Sequence, residues 1–293
     1  MKIKAKLEPG KIALVTGGSS GIGKAIACKL AERGMDVWLV AQRMELLNSA
    51  KKEVETHRKN QNQKIGIISA DISNIDEVRM VVNQVIDSSG TPELLVNSAG
   101  VAHPGYVQDL DINIFSWMME VNYFGTVYMT KEVLPAMLKN KCGYIVNISS
   151  AAGFIGTFGY TAYGASKFAV HGFTAALRAE MKSHGIGVSV VFPVDTETNQ
   201  LDYENRFKPV ETIALDTLTK VMSADDVARE IIKGIERGWY IILPGFDSKL
   251  LYRLNGILGQ ELSLIMDQIA DRAGGIVTLI KRRINYGYIR KMF

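Results

Sequence analysis

Short apolar runs alternate along most of the chain with longer stretches in which apolar positions recur every three or four residues. The runs lie at 11–16, 37–41, 65–69, 94–97, 143–148, 187–192 and 240–243. Uninterrupted runs of this length read as strands buried on both faces. The periodic stretches between them predict helices from Ala25 to near Gly34, over 44–59, from Ile75 to Val85, from about Phe115 to Met137, and from Tyr160 to Ser183. A further helix over Val227–Arg237 follows Ser223-Ala224-Asp225-Asp226, which has the form of a helix cap. Strands alternating with amphipathic helices predict an α/β fold, a Rossmann-type doubly wound parallel sheet of about seven strands. The alternation stops near Pro244. Residues 1–244 therefore read as one domain and 245–293 as a helical C-terminal appendage.

Length and composition agree with that division. A chain of 293 residues, 47% of them hydrophobic, supports one large core. Two cysteines, Cys28 and Cys142, argue against a disulfide framework or a thiolate metal site. His57, His103, His171 and His184 are scattered without metal-ligand spacing, so no metal is expected. His103, just after the fourth strand, is placed to line a substrate mouth. The net charge of +4 is concentrated in the tail, where 281–293 carries Lys281, Arg282, Arg283, Arg290 and Lys291 and no acid. The remainder is near neutral and shows no nucleic-acid footprint. No apolar run precedes Ile12, and no stretch of roughly 18 uncharged apolar residues occurs. These features predict a cytoplasmic protein, or one peripheral on the cytoplasmic face of a membrane, and not a secreted one.

The chemistry is concentrated at strand ends. The first predicted strand runs directly into Gly17-Gly18-Ser19-Ser20-Gly21-Ile22-Gly23 and then a helix. Glycines permit a tight turn and close approach to a pyrophosphate, and the helix N-terminus offers free N–H groups to phosphate oxygens. The second strand ends in Ala41-Gln42-Arg43, without the acid that would bind the ribose hydroxyls of NAD. Arg43 can pair with a 2′-phosphate, which favours NADPH/NADP. Asp71-Ile72 closes the third strand, where the carboxylate can reach an adenine amino group. Asn97 ends the fourth, and the small residues of the following Ser98-Ala99-Gly100 turn let backbone lie against the cofactor ribose. Ser149-Ser150 ends the fifth and Pro193 the sixth. In Tyr163-Gly164-Ala165-Ser166-Lys167, tyrosine and lysine share a helix face. The ammonium is expected to favour the phenolate and lower the tyrosine pKa.

Thr16-Gly17-Gly18-Ser19-Ser20-Gly21-Ile22-Gly23, Asn97-Ser98-Ala99-Gly100, Asn122, Ser150 and Tyr163-x-x-x-Lys167 together resemble the classical short-chain dehydrogenase/reductase family over about 1–243. Ser98 stands where that family usually has a second asparagine. The resemblance implies that Tyr163 protonates a developing alkoxide, that Lys167 holds the nicotinamide ribose, that Ser150 binds the substrate oxygen, and that Asn122 positions a water in a proton relay. Strand alternation separates Ser149 from Ser150, and the spacing to Tyr163 selects Ser150. It also implies a homo-oligomer, a dimer or tetramer, paired through the helices that carry Asn122 and Tyr163. A narrower likeness lies in Pro193-Val194-Asp195-Thr196-Glu197-Thr198 and in Glu204-Asn205-Arg206-Phe207-Lys208-Pro209-Val210-Glu211-Thr212, which are similar to the 3-ketodihydrosphingosine reductase branch. Val194, Glu197 and Gln42 depart from that branch's pattern. The branch implies a long-chain lipid ketone as substrate and a cofactor carboxamide near Val194, Thr196 and Thr198, just past the cofactor-binding Pro193. Another hydrophobic ketone, 3-oxoacyl or steroid-like, is the alternative, and a non-catalytic NADP-sensing or scaffold protein a remote one.

The tail suits a lipid substrate. Leu262, Ile265, Met266, Ile269, Ala273, Ile276, Val277, Ile280 and Ile284 follow helical spacing, with a break or bend expected at Gly274-Gly275. An amphipathic helix ending in Lys-Arg-Arg suits a membrane surface. The plainer reading is a helix packed on its own domain or on a second subunit.

Overall fold

Buried hydrophobic strands order this chain into a central parallel sheet in the computed structural model, which describes residues 2–289. The sheet strands are β1 (Ile12–Thr16), β2 (Asp36–Ala41), β3 (Ile65–Ser69), β4 (Leu94–Asn97), β5 (Gly143–Ile148) and β6 (Ile186–Val191). The short β7 (Thr196–Glu197) and β8 (Met222–Ser223) form a separate parallel pair, and β9 (Ile241–Ile242) closes the sheet. The seven strands run in the order β3-β2-β1-β4-β5-β6-β9, all parallel. The order reverses between β1 and β4. That switch point opens the crevice in which sheets of this kind bind ligands.

Helices α1 (Gly21–Ala31), α2 (Met44–Thr56), α3 (Ile75–Ser89), α4 (Ile112–Met118), α5 (Gly125–Asn140) and α6 (Thr161–Met181) alternate with the sheet strands. Alternate residues of one strand feed opposite cores. Ala13 and Val15 join Ile26, Leu30, Val227 and Ile231 on one face, whereas Ile12 and Leu14 join Val81, Met129 and Ile145 on the other. Every residue of β1 is buried, so its polar end, Thr16, is spent inside the molecule. Thr16 Oγ1 accepts the backbone N–H groups of Ser98 and Ala99, both at 3.1 Å. The first strand is thereby tied to the loop after β4. Position 98 serves this tie through its backbone, so a serine supplies it as well as an asparagine.

Several elements differ from expectation. The helix predicted from Phe115 begins at Ile112 and continues to Asn140, through a π-helical stretch at Met119–Phe124. Two helices between β7 and β8, α7 (Asn199–Glu204) and α8 (Val210–Asp216), are too short to carry a readable period. Beyond β8, α9 (Ala224–Glu236) starts as its sequence suggests, with Ser223 Oγ accepting the Asp226 N–H at 3.1 Å.

The appendage is α10 (Gly245–Leu258) and α11 (Gln260–Ile289), joined at Gly259 with φ +51°. α11 does not break at Gly274-Gly275, because glycine weakens a helix by about 1 kcal/mol each without blocking it. The first part of the predicted stripe packs on the chain's own domain. Leu262 is 4% exposed and joins Phe154, Ile155, Val190 and Phe192, with Tyr252 and Met266 against the same cluster. Ile265 is exposed. The side chains of Ile276, Val277, Ile280, Lys281, Arg282, Arg283 and Ile284, and all of Arg290 and Lys291, lie outside the described residues. No helix among the described residues is long and apolar enough to cross a membrane.

Candidate active site

The glycine loop, the ends of β2 through β6 and the segment after Pro193 border a single cleft of about 650 Å³. Its floor is built by backbone fit. Gly17 has φ +65°, and a Cβ there would lie 2.8 Å from Ala99 Cα; a Cβ on Gly23 would lie 2.4 Å from Gly17 O. Side chains at either position would fill the cradle or push α1 off the strand. The N-cap residue of α1, Ser20, makes no side-chain cap hydrogen bond. The N–H groups of the first turn thus face the cleft unspent, which suits phosphate oxygens. These are the features that a dinucleotide's pyrophosphate needs, and the residues present fit the group.

Most predicted cofactor residues line this cleft: Gly17, Ser19, Ser20, Gly21, Ile22, Gly23, Gln42, Arg43, Asp71, Ile72, Ala99, Gly100, Tyr163, Lys167, Pro193, Thr196 and Thr198. Asp71 lies just past the end of β3, where Ser73 donates to its Oδ1 through both backbone N (2.9 Å) and Oγ (2.7 Å). Partial burial opposes its ionisation, but these bonds and the Gln42 side chain outweigh burial and hold the carboxyl below its usual range. Arg43 is exposed at the N-cap of α2 and makes no side-chain cap bond. Thr198 caps α7, accepting the Leu201 N–H at 3.3 Å.

Two predicted residues do not line the cleft. Asn97 is 3% exposed and belongs to an interior network, donating from Nδ2 to Thr130 Oγ1 (3.1 Å) and Asn147 Oδ1 (2.9 Å). It sits on the last residue of β4, whose side chain the pleat turns inward, so the cofactor wall here is the following Ala99 and Gly100. Asn122 is fully buried. It accepts the Val101 N–H (2.8 Å) and donates to Val101 O and Ser166 Oγ (both 2.9 Å). Its side chain cross-ties the loop after β4 to α6. The tie reaches the reacting groups indirectly, since a Cβ on Gly100 would stand 3.2 Å from Asn122 Oδ1 and 3.3 Å from Lys167 Nζ.

Ser150, Tyr163 and Lys167 do converge. Ser149 and Ser150 part as strand alternation requires. Ser149 Oγ donates to Lys167 O at 2.9 Å, while Ser150 caps the short helical turn Ala151–Gly153 and lines the cleft together with Tyr163. Tyr163 is 9% and Lys167 5% exposed. Lys167 Nζ lies 5.6 Å from the Tyr163 ring centroid and donates to Ile148 O at 3.1 Å.

The electrostatic expectation for this pair is corrected. Burial, then the negative charge of Glu204, raise the Tyr163 pKa well above its ordinary value, against polar contacts from Ser150 and Gln200. Desolvation also pulls Lys167 down to about 8, against Glu204. Sequence spacing placed the ammonium near the phenol but could not register that both lie in a dry site beside a carboxylate. The sequence assigns no role to Glu204 and Gln200, on α7. A glutamate at the end of a short helix carries no periodic signal that separates a buried position from a solvated one. His103 stands at the mouth indirectly, its Nδ1 2.7 Å from the hydroxyl of the cleft residue Tyr203.

The family profile described as short chain dehydrogenase matches residues 11–208. The 3-ketodihydrosphingosine reductase of Bos taurus is 39% identical over 247 residues, 84% of this chain and 74% of its own length. The 3-dehydrosphinganine reductase of Danio rerio is 40% identical over 246 residues, with the same coverage. Among solved structures, levodione reductase superposes with a TM-score of 0.74 at 24% identity, over 83% of this chain and 99% of that one, a likeness of fold alone. A short chain dehydrogenase/reductase from Burkholderia phymatum in complex with NAD gives a TM-score of 0.72 at 25% identity, over 81% and 89%. With a Rossmann-type sheet, a dinucleotide cradle at its switch point and a serine, tyrosine and lysine at one cleft, the chain belongs to the short-chain dehydrogenase/reductase family of oxidoreductases.

Proposed function

We propose that this protein reduces 3-ketodihydrosphingosine to dihydrosphingosine with NADPH. The observation that carries the substrate is the similarity, across 84% of the chain, to relatives that are named for this reaction. The cleft supports it. Its lining includes Ile155, Leu215, Leu251 and Met266, apolar side chains drawn from four separate segments. A long hydrocarbon chain suits such a wall.

A bound nicotinamide supplies the hydride. The Gly17–Gly23 loop and the first turn of α1 would hold the pyrophosphate, Asp71 and Ile72 would bind the adenine, and Lys167 would hold the nicotinamide ribose. Arg43, with no acid beside it at the end of β2, supports NADPH over NADH by pairing with a 2′-phosphate. Ser150 Oγ holds the ketone oxygen and offers it a hydrogen bond that strengthens as negative charge develops there. The Tyr163 hydroxyl, held neutral by burial, gives its proton to the forming alkoxide. Lys167, with a pKa near 8, is mostly charged at neutral pH and favours the phenolate left behind.

The appendage supports capture of such a lipid at a surface. Phe246, Leu250 and Ile257 are exposed, at 73%, 43% and 80%, and with Arg253 fall on one face of α10. Leu251, which follows Leu250 on that helix, lines the cleft. Apolar groups interleaved with a cation suit the interface of an anionic membrane.

The test is turnover by the purified full chain of 3-ketodihydrosphingosine against a 3-oxoacyl thioester of matched length, each with NADPH and with NADH. The expected result is efficient reduction of the sphingoid ketone with NADPH, at least tenfold better than with NADH. Reduction of the thioester alone, or no cofactor preference, contradicts the respective half of the proposal.

A further inference from the structure

Glu204 is a carboxylate built into the cleft wall. It is 6% exposed, and both oxygens are oriented by neighbours. Oε2 accepts the Tyr160 hydroxyl at 2.5 Å and Oε1 accepts Gln200 Nε2 at 2.8 Å. Tyr160 in turn lies against Tyr163, with ring centroids 5.5 Å apart. The carboxylate therefore stands one ring away from the phenol that meets the substrate oxygen.

What it lacks is a cation. Lys208 Nζ, the buried ammonium nearest in sequence, is taken by Asp216 at 2.7 Å and Asp195 at 3.3 Å. Lys167 Nζ donates to Ile148 O. Among the described residues Glu204 enters no ion pair of its own. Asp195 and Asp216 hold that lysine, and burial raises the Glu204 carboxyl above its ordinary range, against the more distant pull of Lys208. A buried carboxylate held only by neutral donors is costly unless a positive partner arrives. It has roughly four lone-pair sites, of which two are used.

We propose that Glu204 anchors a protonated primary amine on the substrate, next to the ketone that Tyr163 protonates. The inference rests on the sphingoid reading above and deepens it. A 2-amino ketone places its ammonium on the carbon beside the carbonyl, so the ammonium faces Glu204 when the ketone oxygen faces Ser150 and Tyr163. The apolar lining takes the chain. Glu204 then acts as a specificity-determining residue, selecting amino ketones from other long-chain ketones by charge. A cation there also offsets the carboxylate's field on Tyr163, so the anchored substrate itself restores the acidity that Glu204 takes from the phenol.

The test is binding, read apart from turnover. Full-chain protein saturated with NADP is titrated with dihydrosphingosine and with the matched 1,3-diol lacking the amine, in the same micelles at neutral pH. Wild type is expected to bind the amine at least tenfold more tightly than the diol, and Glu204→Gln to lose most of that preference. NADP affinity reports whether the variant folds. Should it not, Glu204→Asp, which withdraws the carboxylate by one methylene, is expected to weaken the amine several-fold more than the diol. An equal preference in wild type and variant, or none in wild type, overturns the anchor. Amine binding that depends on Glu204 without turnover of 3-ketodihydrosphingosine removes the sphingoid reading and leaves the anchor standing. Turnover with indiscriminate binding does the reverse.

Discussion

Tyr163 and Lys167 show how far a helical spacing carries and where it stops. Four residues of separation put both side chains on one face of α6. What they become there depends on burial, which raises the phenol and lowers the ammonium to about 8. The consequence for stability has a definite sign. Unfolded, Lys167 holds its proton up to a pKa near 10.5; folded, it releases it near 8. Below pH 8 both states bind the proton, and burying the charge costs stability in full. Between about 8 and 10.5 the unfolded state binds more protons, so stability rises with pH. Lys167→Met in the cofactor-free protein is therefore expected to be more stable than wild type at pH 7, by on the order of 3 kcal/mol less the lost bond to Ile148. Denaturant melts across that range should show the gap closing as pH rises. Parallel curves would mean that Lys167 is not desolvated. The residue types of the site were legible in the sequence; their charges were not, because desolvation is a property of the assembled cleft. Asn97 and Asn122 mark the same limit. Each occupies a strand or helix position with motif identity, yet the pleat and the π-helical stretch turn their amides into the interior.

At the scale of elements, strands buried on both faces were the most legible feature. A run such as Ile12–Thr16 has no polar side to conceal its period, and it appears where expected. Helices α7 and α8 were not legible, with 6 and 7 residues each, and they carry Gln200, Glu204 and the apolar wall at Leu215. Helix α11 shows the opposite difficulty. A clear stripe does not say what covers it, and its first part turned out to pack on Phe154 and Phe192. The exposed face of α10 is a different surface and gives a direct prediction. The full chain is expected to float with anionic liposomes, and a Phe246→Ser, Ile257→Ser double variant to float several-fold less with its thermal melt unchanged. Equal flotation would remove the membrane role of α10. Lower flotation with an altered melt would assign the effect to packing instead.

The whole molecule brings together what no segment holds alone. The switch point between β1 and β4 supplies the glycine cradle, α6 Tyr163 and Lys167, the segment after Pro193 Gln200 and Glu204, and the appendage Leu251 and Met266 of the apolar lining. Loops from both halves of the sheet meet there because parallel strands all deliver their carboxyl ends to one edge. Ketone reduction at this cleft, with Tyr163 as the proton donor, is the chemistry proposed here. Single-turnover hydride transfer from NADPH to 3-ketodihydrosphingosine, measured in wild type and in Tyr163→Phe at equal cofactor occupancy, tests it most directly. The rate is expected to be lower in the variant by about 10²- to 10⁴-fold, the usual contribution of a general acid, with NADPH affinity retained. An unchanged rate in Tyr163→Phe would contradict it.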